Sequence, residues 1–458
     1  MPILPIDAGR YVTAEMRKIF EEESRLQKFL DVEAALAWAL AEVGKIPRWA
    51  AEQIAEKASV KYVRPEKVKE VESRIGHDIM AMVEVLAEAC GEAGKYVHYG
   101  ATSYDIVDTA TALQIKEALS LIEDKLNRLE EVLIGLASKY KRTLMVGRTH
   151  GQHALPITLG LKFAVWLREI SRHIVRLNQC KDRILVGKLT GAVGTQAGFG
   201  PEGLKVQKLV MDRLGLKPVE VSTQIVQRDR HAELICVLAN LASTLDKFAT
   251  EIRELQRTEI GELAEPFQFG RQVGSSTMPH KANPVICERI CGLAKIMRSL
   301  VFPALENVIS WQERDLTHSS AERFIIPEAL VLADYMLSLM IRVLEELRVD
   351  EKRMLENLKL TKGRIMSEAV MLKLTEKGVG RQEAHRLLRE LTAKSLMENK
   401  DFKTVLIESP EVRKYLSEKE IVEALKPRNY LGTAVKQVEA AIKITLRERA
   451  KRGVKTAK

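Results

Sequence analysis

Gly274 to Pro284 reads GSSTMPHKANP, and it holds two neighbouring hydroxyls, Ser275 and Ser276, a cation, Lys281, and an Asn283–Pro284 pair. Two prolines and a glycine in so short a span cannot continue a helix, so this is a loop. Asn before Pro has the signature of an N-cap and first helical position, which would aim backbone N–H groups into the same space. Hydroxyls, a cation and N–H donors together suit an anion, or negative charge that develops during a reaction. From about Leu263 to Asn283 there is little apolar periodicity. A gap of that length in a helical chain suits a lid or a binding loop.

Four other places interrupt helical patterns with polar residues. They are His77-Asp78, His98 to Ser103, Gly147 to His153, and Glu313 to Arg323. His77, His98, His150, His153 and His318 fall in these stretches and His280 in the loop. Histidine exchanges protons near neutrality, so the clustering favours acid–base work. Taken singly, each piece has a structural explanation: Thr102-Ser103 could cap a helix, and Arg314 and Arg323 could form surface ion pairs. Together they point to a shared site. His150 and His153 are three apart, but no acid follows at a spacing that completes a metal set, so no metal is expected.

The elements that must carry these residues are long. Ile106–Tyr140, Ile157–Val186, Val226–Glu262, Pro284–Ser310 and Ser319–Leu347 each show apolar residues at helical spacing, and Pro303 should kink the fourth. Before them, Glu15–Glu42 and Glu66–Cys90 read as helices, the second interrupted near Gly76. After Val349 the helical patterns shorten. The expectation is an all-α fold of three domains, 1–104, 105–348 and 349–458, with the five long helices bundled in the middle one. In the third long helix Leu234, Ile235, Val237, Leu238, Leu241 and Leu245 wrap well round the cylinder. Such a helix must be covered on most sides, which implies helices of other subunits.

A chain of 458 residues exceeds what one core normally organises. No uninterrupted apolar run approaches a membrane span, and the N-terminus lacks the pattern of a signal peptide. The five cysteines are scattered without metal spacing; Cys287 and Cys291 read as small core residues on one helix, and a reducing cytoplasm is the expected home. Net charge is +10, yet basic and acidic residues interleave except in the tail Arg447–Lys458. Neither a nucleic-acid nor a membrane partner is expected.

The loop resembles, almost letter for letter, the signature Gly-Ser-Ser-x-Met-Pro-x-Lys-x-Asn-Pro of the fumarase/aspartase superfamily. Within it the chain is most similar to the adenylosuccinate lyase family, through THGQHALPIT, HYGATSYDIVDTA, TQIVQRDRHAE and above all WQERDLTHSSAER. The resemblance spans Arg10 to about Arg323. Ala282 stands where the family often has Arg or Lys, and Gly76 where Lys often precedes His-Asp.

The resemblance implies a homotetramer with a twenty-helix core, active sites shared between subunits, and β-elimination of fumarate from succinylated purine nucleotides without a cofactor. It implies Ser275 as base and His150 as general acid, supported by His77, with Lys281 and Asn283 facing the developing dianion. Arg10, Tyr11, Arg314, Ser319 and Arg323 would hold phosphate and ribose. Thr102, Ser103, Gln224 and Ser276 would orient the carboxylates, and Asp78 the base or ribose edge. The alternative is another lyase of the superfamily, such as argininosuccinate lyase or the carboxymuconate cycloisomerase, and the Arg314–Arg323 segment is the discriminator.

Overall fold

The computed structural model describes residues 4–454. It is predominantly α-helical, with three small two-stranded sheets among the described residues. The long helices are Ser103–Lys139 (α1), Leu159–Ile184 (α2), Asp229–Leu255 (α3), Val285–Ser299 (α4) and Thr317–Glu345 (α5). In α1 the buried residues Ile106, Ala110, Leu113 and then Ile115, Leu119, Ile122, Leu126, Leu129 and Leu133 recur every two to four positions. That is the stripe expected of a bundle helix.

The fourth helix is shorter than its sequence pattern. It stops at Ser299, and Val301–Glu306 forms a separate short helix containing Pro303. Pro303 has no N–H to offer the Ser299 carbonyl one turn back, so the ladder breaks there and does not merely kink. The N-terminal pattern also splits, into Ala14–Phe20 and Glu22–Glu42, while Pro65–Ile75 and Asp78–Cys90 part at Gly76 as expected. α5 is long and apolar enough to cross a membrane, but about two-thirds of its apolar window is buried within the protein (67%), which explains its composition as core.

The chain divides into two compact units. The first takes residues up to Leu126, His173–Asp246 and Ile290–Leu339; the second takes Asn127–Arg172, Lys247–Arg289 and residues from Met340 on. These boundaries fall well inside each of the long helices, whereas the limits expected from the sequence fall within the first turn of α1 and just after α5. In the first unit the core gathers Leu30, Leu36, Leu40, Ile54, Ile79 and Met82 with Ile106, Phe199 and Val210. Each such buried side chain contributes about 1.5–3 kcal/mol. In the second, Val370, Leu374, Phe402, Leu406 and Ile421 pack together, and the Trp166 and Phe248 rings stack at 4.4 Å.

Candidate active site

Within the first unit, the start of α1, the start of α5 and the helices Glu22–Glu42 and Asp78–Cys90 supply the walls of a cavity of about 630 Å³. Of the residues expected to grip substrate, it gathers His77, Asp78, Ser103, Arg314, Ser319 and Arg323. His77 is the N-cap of its helix, its Nδ1 accepting from the Met80 N–H at 3.3 Å. Asp78 accepts from its neighbour Ile79 N–H at 2.8 Å and from Arg323 at 2.7 Å. Arg314 donates to Gln224 Oε1 at 2.7 Å, which attaches Gln224 to the cavity wall. Its guanidinium also lies 3.7 Å from the centre of the Tyr104 ring, and the Tyr104 hydroxyl donates to Ser319 Oγ at 2.8 Å.

Thr102 stands at the entry to α1, its N–H donating to Asp105 at 2.9 Å. Asp105 is wholly buried, meets Lys188 at 2.5 Å, and accepts from the N–H groups of Thr190 and Gly191. Arg10 is exposed and Tyr11, with φ 62°, sets its ring edge-on to Tyr335 at 6.0 Å. Neither lines the cavity.

Behind these groups lies a buried ion cluster that sequence reasoning missed. Arg228 forks Asp108 at 2.9 and 2.8 Å and reaches Glu322 at 2.9 Å. Burial alone would raise the Asp108 carboxyl, but the Arg228 charge and hydrogen bonds outweigh it and hold it low. Glu322 has the weaker claim on that arginine, and burial pushes it up to about 7. Burial and then Arg228 push His231 down to about 3 and His318 down to about 4, so both imidazoles are neutral. Arg228, Asp108 and Glu322 all lie within the polar stretches quoted above, but their pairing across about a hundred residues or more leaves no sequence signal.

The catalytic candidates Ser275, Lys281 and His150 belong to the second unit. His150 is not at a helix end, as its place before α2 suggested. Leu144–Thr149 (β1) and Gln152–Thr158 (β2) form an antiparallel hairpin, with His150 and Gly151 as its two-residue turn. Both have positive φ, 53° and 72°, as a type I′ turn demands, and Gly151 makes that affordable. The His-Gly pair between strand residues was the signal that could have found it. His150 is exposed at the tip. Below it Arg148 forks Glu262 through two 2.8 Å bonds, and Glu262 also accepts from Asn357 at 2.8 Å, which pins the hairpin. Burial and then Arg148 lower the neighbouring His153.

The 265–283 stretch has no regular structure. Ser275 Oγ accepts from the N–H groups of Met278, at 3.2 Å, and Thr277, at 3.4 Å. Asn283 donates to the Gly274 carbonyl at 2.8 Å and closes the loop on itself. A Cβ on Gly274 would lie 2.0 Å from the Lys281 carbonyl oxygen, so only glycine lets the two arms meet. Ser276 and Lys281 are exposed. The expected N-cap is corrected: Asn283 is occupied with Gly274, and α4 begins at Val285. Its free N–H groups are taken by the buried Glu265, which accepts from Ile286 at 3.0 Å and Cys287 at 2.8 Å. The helix terminus therefore already holds an anion, and Asn283 serves the loop.

Residues 9–297 match a family model described as lyase, and residues 363–441 match one described as adenylosuccinate lyase C-terminus. The chain is 55% identical to the adenylosuccinate lyase of Pyrococcus abyssi, covering 96% of this chain and 98% of that one. It is 55% identical to the adenylosuccinate lyase of Pyrococcus horikoshii, covering 99% and 100%. The crystal structure of 3-carboxy-cis,cis-muconate lactonizing enzyme from Pseudomonas putida superposes with a TM-score of 0.89 at 34% identity, covering 97% of this chain and 99% of that one. The fold is thus common to lyases of different substrates, but near-complete coverage at much higher identity, together with the C-terminal match, is particular: the chain belongs to the adenylosuccinate lyase family.

Proposed function

We propose that the protein cleaves N6-(1,2-dicarboxyethyl)-AMP to AMP and fumarate, and performs the same elimination on the succinylated aminoimidazole carboxamide ribotide. The observation that carries the first substrate is the cavity of the first unit. Ser319 and Arg323, one helical turn apart near the start of α5, and Arg314 just before that helix line it, a donor set that suits phosphate oxygens. Ser103 and Asp78 line the same space, and Gln224 is bonded to Arg314.

Ser275 takes the proton from the carbon beside a succinyl carboxylate. A serine does this only as an alkoxide, and the Thr277 and Met278 N–H groups aimed at its Oγ favour that charge. The electron pair moves onto the carboxylate as a dianion, near which Lys281 and Ser276 belong. The C–N bond then breaks, the pair passes to nitrogen, and His150 supplies the proton, with His77 in support. Asn283 acts by holding the loop closed. Arg10, Tyr11 and Thr102 complete the nucleotide and carboxylate contacts.

The working unit is a homotetramer whose sites draw Ser275, His150 and the nucleotide cavity from different copies. Phe302, Ile309, Trp311, Leu316 and Phe324, all more than half exposed in a single chain, support such burial between copies. All five cysteines are free thiols, which suits the cytoplasm. Purified protein incubated with adenylosuccinate should show the ultraviolet change of conversion to AMP. Silence there, with turnover of argininosuccinate or a carboxymuconate, would reject the substrate.

A further inference from the structure

Arg25 lines the same cavity and has no part in the contacts assigned so far. It sits on the helix Glu22–Glu42 with its guanidinium 5.6 Å from the centre of the Phe29 ring, one turn along. The other cationic groups around this space have partners. Arg228 is neutralised by Asp108 and Glu322, and Arg323 by Asp78. Arg25 differs. The fields of Asp78, Glu22 and Glu72 reach it, but among the described residues no carboxylate lies within hydrogen-bond distance. Arg314 is likewise without a carboxylate: its partners are an amide oxygen and a ring face, and its Nε is buried with no acceptor. Two guanidinium forks therefore line one cavity without a carboxylate in contact. Burial and then Arg323 both work against the Arg25 charge, a cost that a bound anion would offset.

We propose that Arg25 is a ligand for the substrate's phosphate, an added fork in the space lined by Arg314, Ser319 and Arg323; this rests on the nucleotide assigned to the cavity above. A phosphate monoester is a dianion with three acceptor oxygens and can satisfy two forks, whereas one carboxylate is satisfied by a single fork. The hydroxyl of Ser319, already facing Tyr104, is a donor within the same walls.

The test uses the assembled full-length protein as wild type, Arg25→Gln and Arg25→Lys. Binding of inorganic phosphate, measured by calorimetry, should weaken by roughly 10- to 100-fold in Arg25→Gln, the loss of a charge-assisted bond. It should fall between the two in Arg25→Lys, which keeps the charge and loses the fork. With adenylosuccinate, KM should rise in the same order while kcat stays within about threefold, as for a contact made equally in ground and transition states. Inhibition by fumarate should not change. Equal phosphate affinity in all three proteins, or a loss for fumarate instead of phosphate, would overturn the assignment. Should the Gln variant fail to fold, the Lys variant alone decides by the same readings. The phosphate titration needs no turnover, so a wild-type protein inert towards adenylosuccinate would count against the proposed reaction and leave Arg25 to be judged by binding.

Discussion

The cavity of the first unit and the loop of the second are built on opposite plans. Around the cavity almost every polar side chain is held by another from a distant part of the chain: Arg314 by Gln224, Tyr104 by Ser319, Arg323 by Asp78, Arg228 by Asp108 and Glu322. The loop from Gly274 to Asn283 is held chiefly by itself, through the Asn283–Gly274 bond and the N–H groups facing Ser275, with Gln256 anchoring it at Ala282. The first arrangement fixes donors before a ligand arrives, as binding requires. The second leaves Ser276, Thr277 and Lys281 exposed and Ser275 half-buried, so they can be brought to a reacting atom. The difference teaches that, on the proposed function, grip and chemistry fall to regions whose polar groups are held in different ways. Mutations should therefore separate them, affecting stability in one and rate in the other.

The largest effect should come from the chemistry. Ser275→Ala and His150→Ala should each lower turnover by roughly 10²–10⁴-fold while the melting temperature and oligomeric state hold; a near-normal rate in either would remove its role. Arg228→Met tests the cavity region, since it strands Asp108 as a buried unpaired charge. Urea unfolding should show a loss of about 3–5 kcal/mol, far beyond any loop substitution.

Acid should also find the cavity first. His231, pushed down to about 3, and His318, to about 4, are neutral in the fold, whereas in the unfolded chain they bind protons below their ordinary value of 6.5. Stability they contribute is thus present above 6.5 and is lost as pH falls towards 4, by up to about 1.4 kcal/mol per pH unit for each proton. Glu322, raised to about 7, works the other way, since it favours the fold more below 4.5 than above 7. Unfolding midpoints between pH 7 and 5 should therefore flatten in His318→Gln; an unchanged slope would show that this histidine is not the acid-sensitive group.

Glu265→Ala, which uncovers the N–H groups of α4, should cost about 1–2 kcal/mol in the same unfolding measurement. Ser276→Ala should be the smallest, within about 0.5 kcal/mol in stability, with its effect visible only in the kinetics, as a lower kcat/KM. A loop residue as costly to stability as Arg228 would erase the contrast.

Much of the fold is legible in the amino-acid order. The five long helices follow from apolar residues at helical spacing, and the break at Gly76 and the irregular stretch after Leu263 follow from glycine, proline and lost periodicity. The misreadings have identifiable causes. The strands of the Leu144–Thr158 hairpin are short and only partly alternating, so helix-end reasoning claimed His150. Asn283-Pro284 carries a valid capping signature, but a carboxylate from Glu265, remote from it in sequence, took the N–H groups instead. Arg25 lies in an ordinary amphipathic helix, where one more arginine draws no notice.

What the sequence determined by itself was local: which residues repeat at 3.6, where the chain must turn, and which stretches hold hydroxyls, imidazoles and guanidinium groups. Those depend on each residue's own chemistry and near neighbours. Only the tertiary structure decided which charge neutralises which, because an arginine and its carboxylate about 120 positions away, as in Arg228 and Asp108, meet through packing of helices and not through spacing. The same packing left Arg25 and Arg314 without a carboxylate.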